Sequence, residues 1–330
     1  MARLNLTLAC GDYDRTRSLE DGSVRPDGIE LTYLRLPVEE TFFRMMRHRE
    51  FEVAELSFSS YVVSLQRDEP PFIAIPVFPS RMFRHGSVYV NTAAGIEQPS
   101  DLRGRRVGTP EYQLSAGVWI RGILADQYGL GPDEVTYLTG GQESPGRIEK
   151  ASVALPERFR LQRIGEEDTL SAMLADGHLD ALYTPRIPSP FVAGDPRVGR
   201  LFPDTVATEK AYFAETGIFP IMHVVAIRRD VYERSPWVAQ SLYKAFVTAK
   251  QEAEQRIYDS SALRFMLPWL NQQLEDARDS LGSDYWSYGL DANRHVLDTF
   301  LRYHHEQGLS QRRLAPEDLF APESTESFLI

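Results

Sequence analysis

The chain has 330 residues, 42 % of them hydrophobic and 25 % charged, an ordinary globular composition at a length that suits two domains. No low-complexity run or fixed-period repeat interrupts it, which excludes solenoid and collagen-like architectures. The net charge of −11 repels nucleic acid and anionic lipid, and no stripe of Lys and Arg interleaved with aromatics offsets it, so neither is expected as a partner.

Leu4, Leu6 and Leu8 alternate with Arg3, Asn5 and Thr7. This predicts a half-buried strand over 3–10 rather than the unbroken apolar stretch of a secretory signal. With no apolar run of membrane-spanning length, the cytoplasm is the expected compartment. The single cysteine, Cys10, closes this strand, where a small buried thiol is the expectation, and one cysteine forms no internal disulfide. A turn through Gly11, Asp12, Tyr13 and Asp14 follows. Ile29 to Leu36 reads as a second strand, and Pro37 introduces a helix through Phe43, Met46 and Arg49. Phe51 to Leu56 is a third strand running into Ser57, Phe58, Ser59, Ser60 and Tyr61, whose serines suit a helix N-terminus.

Further strands are expected at 72–78 and 87–90. A short helix, a glycine turn and a strand fit 101–108. Ala116, Trp119, Ile120, Ile123 and Leu124 mark a helix over 113–128, followed by a strand at 135–138 and a turn at Gly140 and Gly141. The stretch 143–163 is irregular. Residues 169–175 read as a helix, 179–183 and 222–228 as strands, and the remainder as helices near 236–258, 268–281 and 290–307. Strand–helix alternation argues an α/β fold with parallel sheets. The C-terminal helices are expected to pack on the first lobe.

Two runs, Asp101-Leu102-Arg103-Gly104-Arg105-Arg106-Val107-Gly108 and Leu174-Ala175-Asp176-Gly177-His178-Leu179-Asp180-Ala181-Leu182, resemble the two-lobed periplasmic-binding-protein scaffold of type II. That resemblance implies lobe one at 1–91 plus 217–330, with the extra C-terminal helices, lobe two at 92–216, and ligand held between them. The segments Ala9 to Thr16, Phe78 to His85, Thr216 to His223 and Ser241 to Phe246 are more specific. Through them the chain resembles the 4,5-dihydroxyphthalate decarboxylase family.

The reaction implied by this resemblance converts 4,5-dihydroxyphthalate to protocatechuate and carbon dioxide. Each carboxylate is para to a hydroxyl. Ionising that hydroxyl pushes electrons to the ipso carbon, which takes a proton before carbon dioxide leaves. The ring is its own electron sink, so no cofactor is expected, while a divalent metal on Asp12, Asp14, His85 and His223 stays open. No zinc-type ligand spacing is present.

His85 and His223 are the expected acid–base groups, since imidazole serves both roles near neutrality. Asp12 and Asp14 are expected to accept a hydroxyl proton or orient a histidine, although Asp also favours turns for its own backbone. Arg81 and Arg84 are the expected carboxylate clamps, with Arg15 and Arg186 in loops after strands as further candidates. Ser59 and Ser60 offer a helix N-terminus to an anion, or simple capping. Tyr112 is expected to close over the substrate ring. Arg121 and the remaining histidines read as structural. The expected partner is a small aromatic carboxylate, and a homo-oligomer stays open. Two other readings remain: a solute-binding protein for a small aromatic anion, and an enzyme of the same scaffold with another aromatic acid.

Overall fold

A computed structural model describes residues 3–147, 154–259 and 261–325. Its strands are β1 (Leu4–Cys10), β2 (Ile29–Arg35), β3 (Val53–Ser57), β4 (Phe72–Ile75), β5 (Val88–Asn91), β6 (Arg106–Thr109), β7 (Thr136–Thr139), β8 (Arg160–Arg163), β9 (Ala181–Tyr183), β10 (Val198–Arg200) and β11 (His223–Arg228). They form two sheets, ordered β2-β1-β3-β11-β4 and β10-β5-β9-β6-β7-β8. The α/β class and the strand–helix alternation are as expected, but the sheets are mixed rather than parallel. β11 runs antiparallel to β3 and β4, and β5 antiparallel to β9 and β10.

The chain divides into two compact units. The first comprises 1–81, 217–298 and 314–330, and the second 82–216 and 299–313. The boundaries differ from the expected 1–91 plus 217–330 because hydrogen bonds, not sequence position, decide membership. β5 pairs with β9 and β10 of the second sheet. Residues 299–313 are tied into the second unit by Arg302 and Tyr303 on Asp126 and by Gln307 on Arg121.

In the first unit, every residue of the inner strand β3 and of the edge strand β4 is buried, as strands covered on both faces require; Ala74 of β4 also bridges to Phe320. Helix Val38–His48 follows Pro37 as expected, buries Phe42, Met45 and Met46, and ends on Arg49 in the left-handed region (φ 52°). Helix Trp237–Ile257 buries Val238, Leu242, Ala245, Phe246 and Ala249. In the second unit, helix Ser115–Tyr128 is stopped by Gly129 at φ 64°, a conformation that costs glycine little.

Three elements carry no legible pattern. All residues of β8 are exposed, so the irregular stretch 143–163 hides a strand, while its residues 148–153 lie outside the described residues. β10 has three residues. Helix Thr205–Thr216 fully buries only Tyr212, leaving no apolar stripe to read. Among the described residues, no helix is long and apolar enough to cross a membrane.

Candidate active site

The carboxyl ends of β1 and β3 deliver their following loops to one edge of the first sheet, where open α/β sheets place their ligand sites. β11 begins at that same edge because it runs antiparallel to β3. His223 stands opposite Ser57, and Val225 opposite Glu55. Glu55 and His223 are therefore diagonal neighbours on one face, within reach of long side chains. Parallel pairing of Ala9 with Ala54 brings Cys10 alongside Glu55 one step later.

Glu55 is fully buried and collects four donors. Its Oε2 accepts the Gly11 N–H (2.9 Å) and the Cys10 thiol (3.4 Å); its Oε1 accepts the Tyr13 hydroxyl (2.7 Å) and meets His223 Nδ1 (2.6 Å). Burial alone pushes this carboxyl up, but the charge of His223 and the hydrogen bonds from His223, Tyr13 and Gly11 outweigh it and hold Glu55 below the usual carboxylate range. An ionised Glu55 only accepts, so Nδ1 of His223 carries the proton and Nε2 is the ring's other nitrogen, on the side away from Glu55. Nε2 has no hydrogen-bond partner among the described residues, and the side chain is 16 % exposed. Phe42 packs edge-on to the imidazole at 4.8 Å between centroids. Cys10 stays a thiol, because burial and then the charge of Glu55 push it up.

Arg15 lies beside this cluster. Its guanidinium carbon is 4.2 Å from the ring centres of both Tyr13 and Trp286. Nε donates to the Pro79 carbonyl (2.6 Å) and Nη1 to Asp14 (2.9 Å), leaving Nη2 with no hydrogen bond to a described residue. Trp286 is anchored by its own Nε1 on the Phe78 carbonyl (3.0 Å). A cation held against two rings is pre-organised for an anion.

The other expected site residues are spent differently. Asp12 is exposed and pairs with Arg35 at 3.1 Å, so it serves the surface, whereas Asp14 orients Arg15. Arg81 is buried and committed to the protein. Its Nη1 donates to the Phe219 carbonyl and its Nη2 to the Ser287 carbonyl and Asn293, while burial lowers it to about 9. Ser59 and Ser60 are fully buried in the short helix Phe58–Ser64, where Ser57 is the N-cap.

The second unit holds the rest. Arg84 is buried, donates to Ser87 at 3.4 Å and is lowered by burial to about 10, partly opposed by Glu209. Arg186 is exposed after β9, its backbone held by Thr184 and Gln142. Tyr112 is a core residue rather than a cover: it is 2 % exposed, donates to the Gln307 carbonyl and lies under Arg121. His85, only 2 % exposed, sits in a cage of Tyr128, Phe202 and Tyr212. Among the described residues, neither of its ring nitrogens has a hydrogen-bond partner, and burial lowers it to about 4.

Glu55, Tyr13, Phe42 and Trp286 escaped the sequence reading as site residues. Only Glu55 leaves a signal there, as the one carboxylate between Val53 and Phe58, since a buried charge requires partners. Among the described residues, no group of three His, Cys, Asp or Glu side chains is placed to hold a metal ion.

The scaffold recurs in solved structures. A periplasmic sulfonate-binding protein from Methylobacillus flagellatus matches with a TM-score of 0.55 at 12 % identity, covering 98 % of this chain and 93 % of that one. The alkanesulfonate-binding protein from Xanthomonas axonopodis pv. citri matches with a TM-score of 0.53 at 13 % identity, covering 98 % of each. Both support the two-lobed periplasmic-binding-protein-like fold and, at such identity, nothing further. No protein-family model matches the chain. Among curated proteins, the 4,5-dihydroxyphthalate decarboxylase of Comamonas testosteroni is 45 % identical over 330 residues, all of both chains. That of Pseudomonas putida is 47 % identical over 204 residues, 62 % of this chain and 79 % of the relative. With a full-length relative at that identity, this chain belongs to the 4,5-dihydroxyphthalate decarboxylase family.

Proposed function

We propose that the protein releases one carboxylate of 4,5-dihydroxyphthalate as carbon dioxide and leaves protocatechuate, with His223 as the proton carrier and Arg15 as the anchor of the remaining carboxylate. The observation that carries this reading is the 2.6 Å contact between buried Glu55 and His223 Nδ1. A carboxylate behind Nδ1 fixes the ring's tautomer and stabilises the imidazolium that must form and discharge in each cycle.

The hydroxyl para to the departing carboxylate loses its proton to water, and its electrons make the ipso carbon nucleophilic. The protonated His223 delivers the Nε2 proton to that carbon, giving a dienone. The bond to the carboxylate then breaks, its electron pair restores the ring and the para oxygen, and carbon dioxide leaves. The resulting phenolate and the neutral imidazole each recover a proton from solvent. The net consumption is one proton per carbon dioxide released. Arg15, held against the Tyr13 and Trp286 rings, holds the second carboxylate through the Nη2 that Asp14 and Pro79 do not occupy.

The test is carbon dioxide release and protocatechuate formation from 4,5-dihydroxyphthalate by the purified, chelator-treated protein. Turnover lost in His223→Ala supports the reading. No turnover by the unaltered protein, with or without added divalent metal, ends it.

A further inference from the structure

Tyr13 touches both halves of the site. Its hydroxyl donates to the same Glu55 oxygen that faces His223, at 2.7 and 2.6 Å respectively. Its ring supports Arg15 from one face at 4.2 Å. Its backbone starts the tight turn Asp14–Thr16 that carries Arg15, and its carbonyl accepts from the Thr16 N–H. Its placement depends on Gly11: a methyl group there would stand 2.8 Å from the Tyr13 ring. Burial and the neighbouring charge of Glu55 push the phenol up, so Tyr13 is a committed donor and not a base.

We propose that Tyr13 is a positioning residue that couples the proton carrier to the anion anchor, its hydroxyl setting the direction of His223 through Glu55 and its ring setting the plane of Arg15. The inference rests on the proposed roles of His223 and Arg15. Two donors on one carboxylate oxygen restrict where each can lie. Without the hydroxyl, Oε1 answers to His223 alone, and the carboxylate is free to follow the imidazole instead of directing it. Without the ring, Arg15 keeps Trp286, Pro79 and Asp14 but loses one wall of its slot. The two contributions are therefore separable in kinetics, which a merely structural tyrosine would not show.

Tyr13→Phe keeps the ring and removes the hydroxyl. It is expected to lower kcat about tenfold, as loss of an outer hydrogen-bond partner does elsewhere, with KM within about twofold. Tyr13→Leu removes both and is expected to raise KM by a further factor of about three to ten, the worth of one cation–ring contact; Tyr13→Met replaces it if the leucine variant does not fold. The imidazole Nδ1–H proton resonance of His223, assigned by its loss in His223→Ala, is expected to move downfield in Tyr13→Phe as that hydrogen bond becomes the sole one to Oε1. This resonance reads the coupling whether or not the protein turns over substrate, and an unmoved resonance overturns it. Wild-type kcat in Tyr13→Phe, beside an inactive His223→Ala, overturns this inference alone. Equal losses of kcat and KM in both tyrosine variants reduce Tyr13 to a packing residue and likewise overturn it.

Discussion

His223 and His85 occupy the two units and show what burial does to an imidazole with and without a partner. His223 has an ionised, buried carboxylate behind Nδ1, a phenylalanine against its ring and an outer nitrogen left over. His85 has three aromatic rings around it and no hydrogen bond at either nitrogen. The first gives the ring a carboxylate partner, and the second offers burial alone, which opposes a charge on His85. From sequence the pair looked equivalent, since both lie beside an expected strand. The difference lies in one residue, Glu55, 168 positions from His223 along the chain.

Replacement of each histidine separates the two most strongly. His223→Ala is expected to lower turnover by roughly 10²–10⁴-fold, the usual worth of general acid–base help, with equilibrium binding of protocatechuate largely kept. His85→Phe is expected to keep turnover within a few-fold. Reversed outcomes in a carbon dioxide release assay would move the proton carrier to the second unit.

Acid stability separates the two next. A buried imidazole lowered from 6.5 to about 4 is neutral in the folded protein. Its contribution is complete above about pH 6.5 and is lost as pH falls towards 4, about 3 kcal/mol across the window. His85→Phe should therefore lose less stability than the unaltered protein between pH 6.5 and 4. Parallel urea-midpoint curves for the two would remove the cage from the account.

The arginines extend the contrast. Arg81→Met strands the Phe219 and Ser287 carbonyls and Asn293, and is expected to cost roughly 2–3 kcal/mol of stability with KM unchanged. A KM effect at full stability would make Arg81 a substrate ligand after all. Arg15→Lys, the mildest change, keeps the charge but loses the flat stack and the fork. KM should rise about tenfold while stability moves little, and Arg84→Lys should leave KM where it was.

Much of this organisation was legible. Alternation at Leu4, Leu6 and Leu8, the Pro37 entry and the helical spacing from Ala116 to Leu124 mark elements whose signals are local, and they appear where expected. β11 and β5 were legible as strands but not as antiparallel ones, because direction depends on which strand the chain returns beside. Site residues followed the same rule. His223, Asp14 and Arg15 could be picked out as polar groups just beyond or beginning strands. Arg81 and Tyr112 had the same appearance, yet burial turned their polar atoms towards backbone carbonyls. Trp286 is held in the site by the Lys250, Phe78 and Phe219 contacts of its segment, and no spacing in the sequence announces them.

The position of β11 has a consequence for how the chain is made. β11 lies inside the first sheet, between β3 and β4, yet it follows nearly all of the second unit in sequence. A ribosome adding 5–20 residues per second needs roughly 10–30 s to travel from Glu55 to His223. During that time β3 and β4 expose apolar edges with no strand between them, and Glu55 is a carboxylate without its imidazole. The second unit has most of its sequence in one run and can condense while the first waits. Open strand edges of this kind invite pairing with other chains, so the nascent first unit is where chaperone protection matters most.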